Sequence, residues 1–292
     1  MKKVIAFSLV LVMVLGLFAA CGSNTENADN KENVANNESV DNTENVSNDE
    51  TAENSGNSET TTVLKTVEEG KLIMATNAAF PPYEYVEGDA IVGIDAEIAQ
   101  AIAEKLGLEL VINNMEFNSI ITAVATGAAD FGLAGMTVTE DRLKEVDFSI
   151  SYASGVQSII VKEGSAITTV DDLYADGATT KIGVQLGTTG DIYASDDFGT
   201  DRVVQYNNGN EAVLALLKGD VDCVIIDNEP AKAYVAANEG LKVLDTAYAE
   251  EDYAACFAQD NDDLCAAVNE AIEALIMDGT IDAIIEKYIP TK

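Results

Sequence analysis

Between residues 71 and 288, short apolar runs alternate with stretches of helical periodicity, and this alternation limits the fold more than any other feature. The pattern predicts strands at 71–76, 108–112, 130–134, 181–185 and 221–226. It predicts helices at 94–106, 119–127, 211–218, 262–277 and 280–288, and another that begins near Pro230. Strands that alternate with helices of this length favour an α/β fold with two mainly parallel sheets flanked by helices.

A motif of helix, glycine, aspartate, apolar strand and polar loop occurs twice in this segment. The matching residues stand 92 positions apart: Gly127 and Gly219, Asp130 and Asp222, and Gly135 and Asp227. In open α/β sheets, ligands bind in the crevice at the carboxyl ends of the strands. The repeat therefore predicts two similar lobes that face each other, with polar loops at Gly135 and Asp227.

The composition excludes several classes of function. The 292 residues contain no His, so the chain can form no Ser-His-Asp triad, Cys-His dyad or imidazole-ligated zinc site. The 51 Asp and Glu residues against 16 Lys and Arg give a net charge of −35, which repels the phosphate backbone of nucleic acids. We therefore expect no nucleic-acid partner, and no motif indicates a metal or a cofactor.

The first 20 residues have the pattern of an export signal. A positively charged start at 1–3 precedes an apolar run at 4–20, which is interrupted only by Ser8. The run closes with Ala19, Ala20 and Cys21, which resemble the bacterial lipobox, whose cysteine is acylated. Residues 1–20 are interpreted as a lipoprotein signal peptide and Cys21 as the lipidated residue; ordinary secretion and a retained membrane anchor are the alternatives.

Residues 21–62 are predicted to be a disordered tether. They consist almost entirely of Asn, Glu, Asp, Ser and Thr, and Asn recurs at every third position from residue 24 to residue 36. So little apolar surface cannot offset the entropy lost when a chain becomes ordered. Such a tether would hold a folded domain, by its lipid anchor, at the outer face of the bacterial cytoplasmic membrane.

Five motifs resemble those of the polar amino-acid solute-binding proteins of bacterial ABC importers, family 3 of the extracellular solute-binding proteins. In chain order, they lie at 75–85 with 92–95, 117–121, 134–142 with 146–149, 183–190, and 226–227. The resemblance runs from about residue 71 to residue 288. It implies a two-lobed fold of the periplasmic-binding-protein type II kind, with the lobes joined by a two-strand hinge.

The same resemblance implies that a free L-amino acid is held at both its charged ends. Arg142 would grip the α-carboxylate with its guanidinium fork, aided by backbone N–H groups near Thr137 and Thr189. Asp227 would bind the α-ammonium group, with the carbonyl of Gly135 and the hydroxyl of Thr137 nearby. The other predicted contacts are Asn77, Phe80, Phe117, Met136, Gln185 and Thr188.

The residues alone leave other roles open. Arg142 could be a solvated surface cation that pairs with Glu140 or Glu145. Thr137 and Glu140 have capping-box spacing, which predicts a helix start in this segment. Asp227 is one acid among 51 and could simply face solvent.

The residues expected around the ligand's side chain leave the charge of that side chain open. Phe80 and Phe117 would form aromatic walls that suit an apolar stem or a guanidinium group, or they could be ordinary core residues. Asn77 stands where many binders of cationic amino acids carry Asp, and Gln185 where glutamine binders often carry Lys. Glu84 could compensate for the missing counter-charge. These residues favour a cationic or an uncharged polar amino acid.

Lobe 1 is predicted to comprise residues 63–154 and 255–292, and lobe 2 residues 155–254. The chain would then cross twice between the lobes, which allows them to close as rigid bodies around a ligand. Closure strengthens the charge-assisted hydrogen bonds to the ligand. The closed form is the one that a transporter would recognise.

The predicted function is therefore that of the substrate-binding component of an ABC importer. We expect a monomer that delivers its amino acid to a membrane permease and has no enzymatic activity. The alternatives are a sensing module for a membrane receptor, and a dehydratase or transglycosylase on the same fold, which would need a placed acid in the cleft. Cys223 and Cys256 are expected to be buried free thiols.

Overall fold

A computed structural model of the chain describes residues 64–290. The predicted signal peptide, Cys21 and the tether therefore lie outside the described residues, as do residue 63 and residues 291–292 of the predicted lobe 1. None of the helices between residues 64 and 290 is long and apolar enough to cross a membrane.

The described residues form fourteen strands and seven α-helices. The strands are β1 (Lys71–Thr76), β2 (Ala79–Phe80), β3 (Glu84–Glu87), β4 (Ala90–Val92), β5 (Glu109–Asn114), β6 (Phe131–Gly132), β7 (Val146–Phe148), β8 (Ala153–Lys162), β9 (Ile182–Gln185), β10 (Val203–Tyr206), β11 (Cys223–Asp227), β12 (Leu241–Val243), β13 (Ala249–Tyr253) and β14 (Cys256–Ala258). The helices are α1 (Ile94–Leu106), α2 (Ile120–Ala125), α3 (Thr189–Phe198), α4 (Gly209–Lys218), α5 (Asn228–Ala237), α6 (Asp262–Met277) and α7 (Thr280–Tyr288).

Lobe 1 is built on a five-stranded sheet with the order β5-β1-β6-β14-β7. Helices α1 and α6 cover one face, where Leu72 and Met74 of β1 are buried, and α2 covers the other, where Ile73 and Ala75 are buried. Because successive side chains of a strand point to opposite faces, the unbroken apolar run of β1 fits a strand covered on both sides. A small antiparallel sheet, β2-β3-β4, belongs to the same part of the chain.

Lobe 2 is built on a second sheet with the order β10-β9-β11-β8-β12, and β13 also pairs with β8. Ala194 and Phe198 of α3 pack on one face of this sheet. Helices α4 and α5 pack on the other face. Both lobes are thus layered sandwiches of helix, sheet and helix.

The sheets are mainly parallel, as predicted, with one reversed strand in each. In lobe 1, β14 runs antiparallel to both of its neighbours, β6 and β7. In lobe 2, β8 runs antiparallel to β11, β12 and β13. Both reversed strands follow a crossing between the lobes. A chain that enters a sheet from the cleft begins where the other strands end, so it must run in the opposite direction.

The predicted internal repeat has a structural counterpart. Asp130 donates its backbone N–H to the carbonyl of Ile73 at 2.8 Å, and its carboxylate accepts the N–H of Ile73 at 2.6 Å. Asp222 makes the same two bonds with Lys181, each at 2.8 Å. In each lobe, therefore, an aspartate ties the start of one strand to the neighbouring parallel strand.

The two crossing segments pair with each other. In the antiparallel ladder between β8 and β13, Ala153 lies opposite Tyr253 and Gly155 lies opposite Glu251. A side chain at position 155 would collide with the Tyr253 ring, so this position requires glycine. The predicted crossing points, between 154 and 155 and between 254 and 255, fall within or just beyond this ladder.

The helix predicted at 119–127 is shorter in the structure, where α2 follows a 3₁₀ turn at Phe117–Ser119. The predicted helix start at Thr137 and Glu140 is wrong, because no helix begins at these residues. The first helical turn of this segment is the 3₁₀ turn Arg142–Lys144. It begins at Arg142, whose backbone N–H donates to the Thr139 hydroxyl at 3.2 Å.

Candidate ligand-binding site

A cavity lies between the lobes, at the carboxyl ends of β1, β9 and β11. Ten of the eleven predicted contact residues line it: Asn77, Phe80, Phe117, Gly135, Thr137, Arg142, Gln185, Thr188, Thr189 and Asp227. Glu84 and Ala134 complete the lining. Positions predicted from separate motifs thus meet at one place.

Met136, the eleventh predicted contact, does not line the cavity. Its side chain is fully buried in the core between α2 and the lobe 1 sheet. Gly135 and Thr137 on either side line the cavity instead. The Met136 side chain is thus directed into the core and not toward the cavity.

Arg142 forms the positive pole of the cavity. Its side chain is 6% exposed, which is incompatible with a solvated surface cation. Nη1 donates to the carbonyl of Thr137 at 2.7 Å, Nη2 donates to the carbonyl of Gly187 at 3.0 Å, and the guanidinium carbon lies 5.3 Å from the centre of the Phe117 ring. Burial lowers the pKa of Arg142, but a guanidinium remains charged in proteins. Of its five N–H groups, three remain for a ligand carboxylate.

The N-terminus of helix α3 adds to this positive pole. Thr188 is the N-cap, and its hydroxyl accepts the backbone N–H of Asp191 at 3.3 Å. The buried Asp191 carboxylate also accepts the N–H of Gly187 at 3.0 Å, which fixes the loop before the helix. The first N–H groups of a helix attract anions, so Thr188 and Thr189 complement Arg142.

Asp227, at the end of β11, forms a negative pole in the same cavity. Its Oδ2 accepts a hydrogen bond from Gln157 Nε2 at 2.7 Å, and its Oδ1 accepts one from the Tyr253 hydroxyl. Burial, with the neighbouring charge of Glu251, raises the pKa of Asp227 to about 7. A cation placed in the cavity would favour the ionised carboxylate.

A second acidic group, Glu84, faces the cavity from β3. Its side chain is fully buried; no N–H or hydroxyl group of residues 64–290 donates to it, but its carboxyl group shares a hydrogen bond with the carboxyl group of Asp95. Burial, and then the charge of Asp95, hold the pKa of Glu84 well above its usual value. Burial likewise raises the pKa of Asp95 to about 6, although Asp95 accepts hydrogen bonds from Gly135 and Tyr152. The cavity therefore has an acidic subsite without a counter-charge.

Aromatic rings bound the cavity on the lobe 1 side. Phe80 and Phe117 are both buried and both line it. Gly135 has a φ of +52°, and a Cβ atom there would lie 2.9 Å from the Phe80 ring. The loop therefore requires glycine at this position, for its backbone conformation and for the space that the ring takes.

The two lobes touch across the cleft. Gln185 of lobe 2 donates to Asn77 of lobe 1 at 2.9 Å, and Tyr234 of lobe 2 donates to the carbonyl of Ala79. The bond from Arg142 to Gly187 is a third link between the lobes. The lobes are therefore closed around the cavity, and Arg142 contributes to both the cavity and the closure.

Residues 72–291 match the family model of the bacterial extracellular solute-binding proteins, family 3. The chain belongs to this family. Its match covers both lobes and every residue of the cavity. The predicted family and the predicted two-lobed type II fold are both confirmed.

Individual relatives of this family 3 protein agree. The arginine-binding extracellular protein ArtP of Bacillus subtilis is 35% identical over 223 residues, which cover 75% of this chain and 86% of ArtP. An ancestral arginine-binding protein bound to arginine is 38% identical with a TM-score of 0.70, over 75% of this chain and 98% of its own. The arginine-, lysine-, histidine-binding protein ArtJ of Geobacillus stearothermophilus is 32% identical with a TM-score of 0.71, over 76% and 96%.

The sequence motifs did not assign Glu84 and Ala134 to the site. For Glu84 the sequence indicates only a compensating charge, since this residue follows a turn whose geometry the motif does not give. Its strand β3 pairs with β2 so that Glu84 lies opposite Phe80, a predicted contact. Side chains of directly opposed residues share a face, so this pairing would have placed Glu84 in the cavity.

Proposed function

We propose that this family 3 protein binds a cationic L-amino acid, of which L-arginine is the representative, between its lobes for an ABC importer. The observation that carries the proposal is the fully buried Glu84 carboxyl group, which faces the cavity and receives no N–H or hydroxyl donor from residues 64–290. The ionised form of such a group is costly to bury unless a cation binds to it.

The other groups of the cavity suit the shared part of an amino acid. Arg142 and the N-terminus of α3 favour the α-carboxylate, and Asp227 favours the α-ammonium group. Phe80 and Phe117 could pack on the stem or the guanidinium group of the side chain. The names of the three relatives described above, all arginine binders, support the same substrate class.

The same cavity supports binding rather than catalysis. Its charged residues match the two ends and the side chain of one zwitterionic ligand. A dehydratase or transglycosylase would need an acid beside a scissile bond, and the acids Glu84 and Asp227 are accounted for by the cations of the ligand. We therefore propose a carrier that releases its ligand unchanged.

A ligand screen tests the function. The melting temperature of the purified protein is measured with each of the twenty amino acids at pH 8. A ligand at 100 times its Kd stabilises the fold by about 2.7 kcal/mol, or roughly 5–10 °C for a domain of this size. We expect L-arginine and L-lysine to give the largest shifts and L-glutamate none. A largest shift with an acidic or an apolar amino acid would refute the proposed substrate class.

The lipid anchor, the permease and the monomeric state are part of the proposal. The lipobox-like Ala19-Ala20-Cys21 supports acylation of Cys21 and a location on the outer face of the membrane. Expression of Cys21→Ser in a bacterial host tests the anchor: the variant should leave the membrane fraction, whereas a Cys265→Ser variant should stay there.

A further inference from the structure

Two buried residues beside the cavity do not line it. Gln157 lies on β8 and Glu251 on β13, the two strands by which the chain crosses between the lobes. Both are almost fully buried. A buried charge on a crossing strand is costly unless other groups compensate it, so Glu251 calls for a physical explanation.

The strand registers bring these residues to Asp227. Gln157 lies directly opposite Asp227 in the ladder between β8 and β11. Glu251 lies opposite Gly155, two residues before Gln157, in the ladder between β8 and β13. Opposed residues, and residues two apart on one strand, share a face of the sheet. Gly155 has no side chain, which leaves space on this face.

One amide group joins the two carboxylates. Gln157 Nε2 donates to Oδ2 of Asp227 at 2.7 Å and to Oε2 of Glu251 at 2.9 Å. With both carboxylates ionised, the other amide orientation would place an oxygen against both of them, so the donor orientation fits the ionised pair. The Tyr193 hydroxyl also contacts the Glu251 carboxylate, and Arg142 lies close enough for its charge to interact with Glu251. Two buried acids thus face each other across one amide group.

Resting on the proposed amino-acid-binding function, we propose that Glu251 is a positioning residue for the ligand's ammonium group. It acts on Asp227 through Gln157, so that the amino pole is a pair of carboxylates bridged by one amide. Asp227 holds a proton when the cavity is empty and releases it when the ammonium group binds. Ligand affinity consequently depends on pH near neutrality.

The surroundings of Asp227 are consistent with a bound proton on this residue. Burial and the charge of Glu251 raise the pKa of Asp227 to about 7, whereas hydrogen bonds from Tyr253 and Gln157 oppose the rise. The other titratable or charged groups that face the pair are Arg142, Tyr193, Tyr83, Tyr253 and Glu84. Burial raises the pKa of each of these tyrosines above the physiological range, so they remain neutral donors.

The protonation of Asp227 decides whether ligand affinity rises or falls with pH. An Asp227 that is protonated below about pH 7 must lose its proton before it can bind an ammonium group. Affinity should therefore fall as the pH falls, by about 30-fold between pH 8 and pH 5.5 for one proton with a pKa near 7.

The test is calorimetric titration of the purified protein with L-arginine at pH 8, 7, 6 and 5.5, in buffers of different ionisation enthalpy. Wild type should release about one proton per ligand near pH 6 and lose affinity on acidification. Glu251→Gln should weaken binding at pH 8 by about tenfold and reduce the loss between pH 8 and pH 5.5 to under about tenfold. Glu250→Gln is the matched control, since it removes the same charge from the exposed side of β13.

Glu84 also faces the cavity and can titrate, so the pH profiles are measured again in a Glu84→Gln background. The difference in pH dependence between Glu251→Gln and its control, Glu250→Gln, should persist there. Equal pH profiles for the two glutamine variants would overturn the inference. So would a Glu251→Gln variant that weakens binding equally at every pH, which is the signature of a merely structural role. Failure of wild type to bind any amino acid at pH 8 would instead refute the proposed function.

Discussion

The substitution Arg142→Lys isolates the geometry of the carboxylate pole from its charge. Lysine keeps the positive charge but has a single nitrogen, so it cannot serve the carbonyls of Thr137 and Gly187 and a ligand carboxylate in the same fork geometry. In the structure, Nη1 and Nη2 each hold one of those carbonyls, at 2.7 and 3.0 Å. The bond to Gly187 also joins the lobes.

The expected loss follows from the bonds removed. A hydrogen bond between charged groups contributes about 1.5–3 kcal/mol, and the fork forms two to a carboxylate where an ammonium group forms one. The net loss for the ligand is therefore about 2–3 kcal/mol, which corresponds to a 30- to 150-fold weaker Kd. Weaker closure through Gly187 acts in the same direction.

The second arginine of the chain provides a matched control. Arg202 also donates to two backbone carbonyls, those of Thr180 and Leu173, and lies 5.2 Å from the centre of the Phe198 ring. It is remote from the cavity lining. Arg202→Lys therefore repeats the structural loss without touching the ligand.

The assay is calorimetric titration with L-arginine at pH 8, with the melting temperature of the ligand-free protein measured in parallel. We expect Arg202→Lys to lower the melting temperature and to keep the wild-type Kd, whereas Arg142→Lys raises the Kd at least 30-fold. A wild-type Kd for Arg142→Lys, or an equal rise for both variants, would refute the assignment of Arg142 to the ligand carboxylate.

Three further predictions follow from the site. Glu84→Gln should weaken L-arginine binding by about 10- to 100-fold, which is the effect of losing one charge-assisted hydrogen bond. It should also reduce the preference for L-arginine over L-glutamine. Glu87 is exposed on the same strand, so Glu87→Gln should change neither the affinity nor the preference. Gly187→Ala should weaken binding by about tenfold, because its Cβ would press on lobe 1, whereas Gly164→Ala, with a similar positive φ and open space, should not. Because the pKa of Asp227 is raised, the folded chain keeps a proton that the unfolded chain loses near pH 4. The free energy of unfolding should therefore fall as the pH rises from about 4 to 7. Asp227→Asn should make this fall smaller.

Each of these has a defined contrary result. An unchanged preference between arginine and glutamine in Glu84→Gln, measured by titration with both, would remove Glu84 from the side-chain subsite. Equal effects of Gly187→Ala and Gly164→Ala on L-arginine binding would show that backbone strain alone explains the effect of Gly187→Ala. A calorimetric pH slope that Asp227→Asn leaves unchanged would assign the proton to another acid.

Five of the described strands and six of the α-helices were predictable, because their local periodicity matches the buried faces. Helix α1 begins and ends where its isoleucine spacing and Gly107 place it, since that glycine adopts the left-handed conformation that a helix end requires. The motif-based contacts also came together, because five motifs each follow the carboxyl end of a strand or a neighbouring turn. Both kinds of information are local in the sequence.

Features that depend on distant pairing were not predictable. The apolar pattern of a strand does not reveal its direction, and the direction of the reversed strands β8 and β14 is set by the crossings between the lobes. Gln157 and Glu251 gave no signal as a pair, because 94 residues separate them and only the register of β8 brings them to Asp227. Met136 was misassigned because a motif match gives position but not the direction of a side chain.

The buried acids in and beside the cavity outnumber its buried cations. Four buried acids, Glu84, Asp95, Asp227 and Glu251, surround a cavity with one buried guanidinium, Arg142. Full ionisation would leave an excess of negative charge in a low-dielectric space, so the empty cavity must hold protons. An amino acid with a cationic side chain brings two positive charges and one carboxylate, which Arg142 neutralises. The ligand thus supplies the cations that the folded chain lacks, and a neutral amino acid, which brings only one, must leave an additional proton on Glu84.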